Sequence, residues 1–439
     1  MSVRQRIAHA LAANTVGQAI TVLSQVLLTP AYFSHWGTAL YGEWLLISSI
    51  PAYLAMADLG VGTAAGNDMA MQAGAGQWAR ALATYKGALR VASLASLAAM
   101  MLGLGMSWLA TQGIWPQTTQ ISQEVAAWLM MALAMMVSLG FFGTVVSAGF
   151  RAIGANATGI MWSNAARLVE ALVTSAMLIA GKGPLALCLS LLLVKCVMLL
   201  VQLVAFRRMA PQLFEQAASA DKQLLRRLLR PSLAFMAMPL GNALSLQGPL
   251  MLLGSLSGPE SVAIFSAMRT LARVPIQLAN ALNASVWPEI SRAWGLQQLQ
   301  KIRTIHRKTW ALTTAFALSA VLGQVLLGAW LCQLWLGPGH HSAPILNSLA
   351  LAAALSAIWN VSSVLLVAVN AHVKFSVVYI GVNALALVVS VPAYQALGMP
   401  GLLLGQLLPE ALMLLWVWPV AMRLSHDHAR AFFSNMARL

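Results

Sequence analysis

The stretch YGEWLLISSIPAYLAMADLGVGTAAGNDM, Tyr41 to Met69, decides the fold. It begins with a polar turn and then runs apolar for the roughly 20 residues that a helix needs to cross a bilayer. Beyond that turn its first acid is Asp58, near the far end, and it leaves through Gly60, Gly62 and Gly66 to Asn67 and Asp68. Pro51 removes a backbone donor mid-span, which a membrane helix tolerates only where neighbours satisfy the freed carbonyl. This helix is therefore expected inside a bundle rather than facing lipid on every side.

The whole chain has the same character. Of its 439 residues 59% are hydrophobic and only 8% charged, and the mean hydropathy is +0.76. A soluble domain carries about 25% charged residues, so the chain is a polytopic membrane protein. The net charge of +15 fits Lys and Arg concentrated in cytoplasmic loops and is not read as nucleic-acid binding. Cys188, Cys196 and Cys332 fall in apolar spans, which argues against a disulfide framework or a zinc site. The basic head of the N-terminus precedes a full-length span, as in an uncleaved first helix.

Apolar spans lie near residues 11–33, 41–64, 86–110, 125–149, 157–180 and 184–206, and again near 231–254, 262–286, 309–335, 344–369, 375–397 and 400–422. The basic residues test this order. Those outside the spans fall before the first span and after the even-numbered ones, and the alternate loops hold only Lys182. Both termini are thus expected in the cytoplasm. The polar link at 207–230 separates an N-lobe at 1–206 from a C-lobe at 231–423, with a tail at 424–439. The halves repeat each other. The offset 258 − 37 = 221 relates Gly37 to Gly258 and Asp68 to Glu289, and 372 − 156 = 216 relates Asn156 to His372 and Pro184 to Pro400. Six spans per half give a parallel repeat, and such paired bundles enclose a cavity and rock to open it to either side.

In the first span Asn14, Gln18, Thr21 and Gln25 share one helical face, suited to lining a wet cavity or to bonding neighbouring helices. The seventh span holds Pro239, Gly241, Asn242, Gln247 and Pro249, which are expected to weaken or unwind it in two places. Arg269 and Arg273 lie four apart in the eighth span. A cation at the bilayer centre costs about 2.5–3.5 kcal/mol, so this pair is expected to bind an anion. Arg167 and Glu170 are spaced to pair with each other. Lys195 and Glu410 occupy nearly equivalent places in the two halves, one cationic and one anionic. Asp58, Glu170 and Glu410 are the in-span acids available for ion coupling. Gly62 and Gly66 fit close helix packing better than a phosphate loop, because no Lys-Ser/Thr ending follows. His340 and His341 make a poor metal site without a third ligand, and no metal or cofactor is expected.

At Tyr41–Met69 the chain resembles the polysaccharide flippases, the O-antigen (Wzx-type) transporters of the MOP exporter superfamily. The YG-x-W start, the DLG-x-G exit and the acid just beyond carry the likeness. It implies an all-α fold of twelve transmembrane helices in two six-helix lobes around a central cavity, MATE-like in plan. It implies a non-enzymatic function: moving undecaprenyl-diphosphate-linked oligosaccharide from the inner to the outer leaflet of the bacterial cytoplasmic membrane. Membrane lipid and downstream polysaccharide polymerase machinery are the implied partners.

Arg269, Arg273, Arg167 and Lys195 would offset the desolvation of a diphosphate, and Arg90 and Arg151 would draw the headgroup to the cytoplasmic mouth. A multidrug exporter of the same fold usually carries coupling acids in the first, seventh or eighth span, and those spans hold none. Lipid II flippases commonly have two further C-terminal helices. A membrane glycan ligase or polymerase needs a sizeable outer loop, and every outer loop here is short.

Overall fold

The computed structural model describes residues 3–56, 61–114, 118–215, 222–368 and 372–436. Asp58 lies outside the described residues. The chain is all-α. Its first half contains α1 (Val3–Met56), α2 (Val61–Gly74), α3 (Trp78–Thr111), α4 (Gln123–Ala152), α5 (Asn156–Ile179), α6 (Pro184–Met209) and the short α7 (Pro211–Phe214). Then come α8 (Lys222–Ala272), α9 (Val274–Gly295), α10 (Leu299–Leu336), α11 (Ala343–Ala368), α12 (His372–Leu397), α13 (Met399–Leu424) and the tail helix α14 (Ala429–Met436). The chain forms two compact units, 1–243 and 244–439. That boundary falls within α8, whereas the sequence suggests a division at 207–230.

Among the described residues nine helices are long and apolar enough to cross a membrane. The twelve spans of the sequence map onto the helices as follows. The second span begins within α1 and ends in α2, and the eighth begins within α8 and ends in α9; each follows its predecessor across a turn at Gly37 or Gly258. Both glycines have the same left-handed backbone, φ 69°, ψ 177° and φ 78°, ψ 173°, which a residue with a Cβ adopts only at a cost. The fifth span, α5, interrupts its apolar run with Asn164, Arg167 and Glu170.

The packing inside each unit repeats as the sequence does. In the first, α4 is the central helix, against α2, α3 and α6, with α5 on α6; in the second, α11 packs against α9, α10 and α13, with α12 on α13. Glycine sets the approach of α2 to α4. A Cβ on Gly62 would meet Thr144 at 3.0 Å, and one on Gly66 would meet the Arg151 guanidinium at 2.9 Å. The close-packing role read from these two glycines holds.

One expectation is corrected. The seventh span does not unwind at Pro239–Pro249; α8 stays helical there and departs from helical backbone only at Gly258. A helix surrounded by partners can re-satisfy the carbonyls that proline frees. Arg269 braces this part of the helix, donating from Nη1 to the Leu246 carbonyl.

Glu43, in the decisive stretch, is fully buried. Its carboxylate accepts the backbone N–H groups of Thr119 (2.6 Å), Gln120 (2.9 Å) and Ile121 (2.8 Å) and the Thr119 hydroxyl (3.0 Å). Nearby on the same helix, Tyr32 stacks on Tyr41 at 4.6 Å and Trp36 meets Trp44 edge-on at 6.0 Å.

Candidate functional site

The first unit holds a cavity of about 480 Å³ between α2, α4, α5 and α6, within the 300–1,000 Å³ range of small-molecule sites. α4 contributes Gly140, Gly143, Thr144, Ser147 and Arg151, α5 contributes Trp162, Ser163, Arg167 and Glu170, and α6 contributes Lys195 and Gln202. Arg151 stands in the last turn of α4. Arg167 is 167 − 156 = 11 residues into α5, about 17 Å along the axis at 1.5 Å per residue. Lys195 is 209 − 195 = 14 residues from the end of α6, or about 21 Å. The cations therefore run from a helix end to mid-helix depth.

Two of the polar groups are tied down. Arg151 Nη2 donates to the Gly62 carbonyl at 2.7 Å, and Gln202 Nε2 donates to Ser147 Oγ at 3.2 Å. Three are not: among the described residues the side chains of Arg167, Glu170 and Lys195 make no hydrogen bond or salt bridge. Glu170 interacts through space with Lys195 and, less strongly, with Arg167. The local Arg167–Glu170 pair that the spacing permits is not formed.

The second half shows that the fold does not require this polar lining. At the 216 offset Gly140 corresponds to Ser356, Gly143 to Trp359, Arg151 to Val367 and Glu170 to Ala386. Trp359 is 4% exposed, with its ring centroid 5.6 Å from Tyr379 and 6.0 Å from Phe375. Its indole N–H donates to Glu410 Oε2 at 2.6 Å, and Ser356 also hydrogen-bonds Glu410. Glu410 is one residue from the Lys195 position in that register. Both side chains still reach the facing helix at equivalent points, Ser356 and Gly140, where a Cβ would lie 3.9 Å from Lys195 Nζ.

The remaining expected site residues fall into three groups. Arg273 stands at the break between α8 and α9 and interacts electrostatically with Tyr379 and Glu410; Arg269 lies over the Phe265 ring at 5.7 Å. Asn14, Gln18 and Gln25 are exposed and Thr21 is half-buried, with the Thr21 hydroxyl on its own helix at the Gly17 carbonyl. α1 meets α5 by a different face, where Asn164 donates to the Ala13 carbonyl at 2.7 Å. Asn242 is exposed and Gln247 half-buried. Sequence reasoning missed Gln202, Ser147, Trp359 and Tyr379. The 216 offset carried a signal for Trp359, which it sets opposite a glycine.

Residues 91–294 match the family described as polysaccharide biosynthesis protein. The fold is shared with solved membrane transporters. It is similar to an inward-facing MATE multidrug resistance transporter (TM-score 0.73, 14% identity, 96% of this chain and 100% of that one). It is also similar to the lipid II flippase MurJ in an inward closed conformation (TM-score 0.72, 10% identity, 96% and 88%). The outward-facing MATE conformation matches with a TM-score of 0.63 at 16% identity, over 96% of each chain. No curated protein matches the sequence. The chain is thus a multi-pass membrane protein with the fold of these transporters.

Proposed function

We propose that the protein flips undecaprenyl-diphosphate-linked oligosaccharide from the cytoplasmic to the periplasmic leaflet of the bacterial inner membrane, by alternating access coupled to an ion. The observation that carries this reading is the cavity with Arg151, Arg167 and Lys195 in its wall and a single acid, Glu170. Three cations less one acid leave a net charge of +2, suited to a diphosphate and costly to hold in apolar surroundings without an anion. Positive-inside charge orients Arg151 to the cytoplasmic side, where it meets the headgroup first; Arg167 and Lys195 receive it at depth. The polar faces of Asn14, Gln18, Thr21 and Gln25 and of Asn242 and Gln247 then serve the sugar hydroxyls, and Arg269 and Arg273 the anion. Coupling falls to Asp58, Glu170 or Glu410. The product is the substrate that polysaccharide polymerase machinery consumes at the outer leaflet.

The test is gene deletion with lipid analysis. Lipid-linked glycan is expected to accumulate on the cytoplasmic leaflet. The Arg167→Ala/Lys195→Ala double variant, present in the membrane at normal level, is expected not to restore surface polysaccharide. Full restoration by that variant, or no accumulation on deletion, overturns the reading. A cationic-drug exporter of the same fold is disfavoured by the basic cavity, and overexpression is expected to leave drug resistance unchanged.

A further inference from the structure

Resting on the diphosphate reading above, we infer that Glu170 is a built-in rival anion. It competes with the cargo phosphate for Lys195 and Arg167 and so speeds cargo release.

A pairing that the spacing favours is absent. Arg167 and Glu170 are three apart on α5, the spacing at which opposite charges meet on a helix, yet among the described residues neither forms an ion pair. Lys195 reaches the cavity wall from α6 and is also unpaired, and its charge is the strongest that acts on Glu170. Arg151 faces the same cavity from α4 and is held at the Gly62 carbonyl. One carboxylate thus stands among cations without being locked to any of them.

A role in the fold does not account for it. The second half has Ala386 at the Glu170 position, with the same helix pair, α12 on α13, packed as α5 is on α6. Simple neutralisation does not account for it either, since a neutralising acid gains most by direct contact with a cation. A site of cations alone would hold a diphosphate tightly, and a transporter gains nothing from cargo that does not leave. An acid within reach of the same cations offers them an alternative partner. Cargo entry then separates Glu170 from Lys195 and Arg167, and cargo exit returns them to it.

The test uses the purified full chain in detergent, with a short-chain isoprenoid diphosphate as probe. Affinity is read by calorimetry and dissociation by stopped flow, and transport is read as surface polysaccharide in the deletion strain. Glu170→Gln is expected to bind the probe roughly tenfold more tightly, about 1.4 kcal/mol, with slower dissociation and reduced transport. Glu170→Asp, which keeps the charge, is expected to restore wild-type dissociation and transport. Unchanged or weaker binding by Glu170→Gln, with the protein still folded, overturns the inference. The Arg167→Ala/Lys195→Ala variant separates the two claims. If it binds the probe as well as the wild type, the diphosphate reading itself fails; if it loses binding while Glu170→Gln gains none, only the rival-anion role fails.

Discussion

Trp359 hands its indole N–H to Glu410 at 2.6 Å, in the part of the second half where the first half has Gly143 and Lys195 around a cavity. The equivalent helix pairs of the two halves, α4 with α6 and α11 with α13, thus have two different fillings. Closed by an aromatic ring and an acid, the second pair is a packed core. Opened by glycines and faced with cations, the first is a chamber.

Filling the chamber is expected to stop transport. Gly143→Trp gives the first half the residue of the second, and the indole occupies volume that the cavity needs. Surface polysaccharide is expected to fall to the level of the deletion strain while the protein stays in the membrane. Gly105→Ala, where no atom lies within 4 Å of an added Cβ, is the control and is expected to behave as wild type.

Trp359→Phe keeps most of the ring and removes the donor to Glu410. A buried acceptor that loses its partner costs about 1–3 kcal/mol. Thermal unfolding in detergent is expected to show that loss for the single variant. In a double-mutant cycle with Glu410→Gln the two effects are expected to be less than additive, because the residues share one bond. Strict additivity counts against the pairing.

The sequence made the helices legible, because hydrophobic length and loop charge follow from the bilayer itself. It made the repeat legible too, and Gly37 and Gly258 proved to share one backbone conformation. Arg167, Glu170 and Lys195 were readable as ionisable groups within spans. That they line one cavity without touching was not readable, since it depends on the rotation of α4, α5 and α6 about their axes. The unwinding expected at Pro239–Pro249 does not occur for a related reason: local sequence marks the prolines but not the distant partners, such as Arg269 at the Leu246 carbonyl, that brace the helix around them. Glu43 escaped notice because its partners are the backbone groups of residues 119–121, which no side-chain pattern announces.

Asp427 is held by Arg307 in a two-bond pair, Oδ1 to Nη2 at 2.6 Å and Oδ2 to Nε at 2.9 Å, with the two side chains 3% and 13% exposed. Just beyond it Phe432 of α14 packs edge-on to Trp310 at 5.5 Å and Trp418 at 6.0 Å. Breaking one side of a buried pair costs about 3–5 kcal/mol. Asp427→Ala is expected to release α14, seen as faster proteolysis of the tail with the transmembrane region intact. An unchanged cleavage rate argues that the aromatic contacts alone hold it.

Glu43→Gln is expected to destabilise the protein by about 3 kcal/mol, since an amide puts a donor where backbone donors already point. The Gln120→Cys thiol is expected to react faster with a thiol reagent in the Glu43→Gln background than with Glu43 present. Equal rates count against the role of the carboxylate.

That carboxylate also limits how this end of the first half can move. Three successive amides fastened to one side chain of α1 give residues 119–121 no swing independent of that helix. Whatever passage opens on that side requires α1 and the start of α4 to travel as a single block.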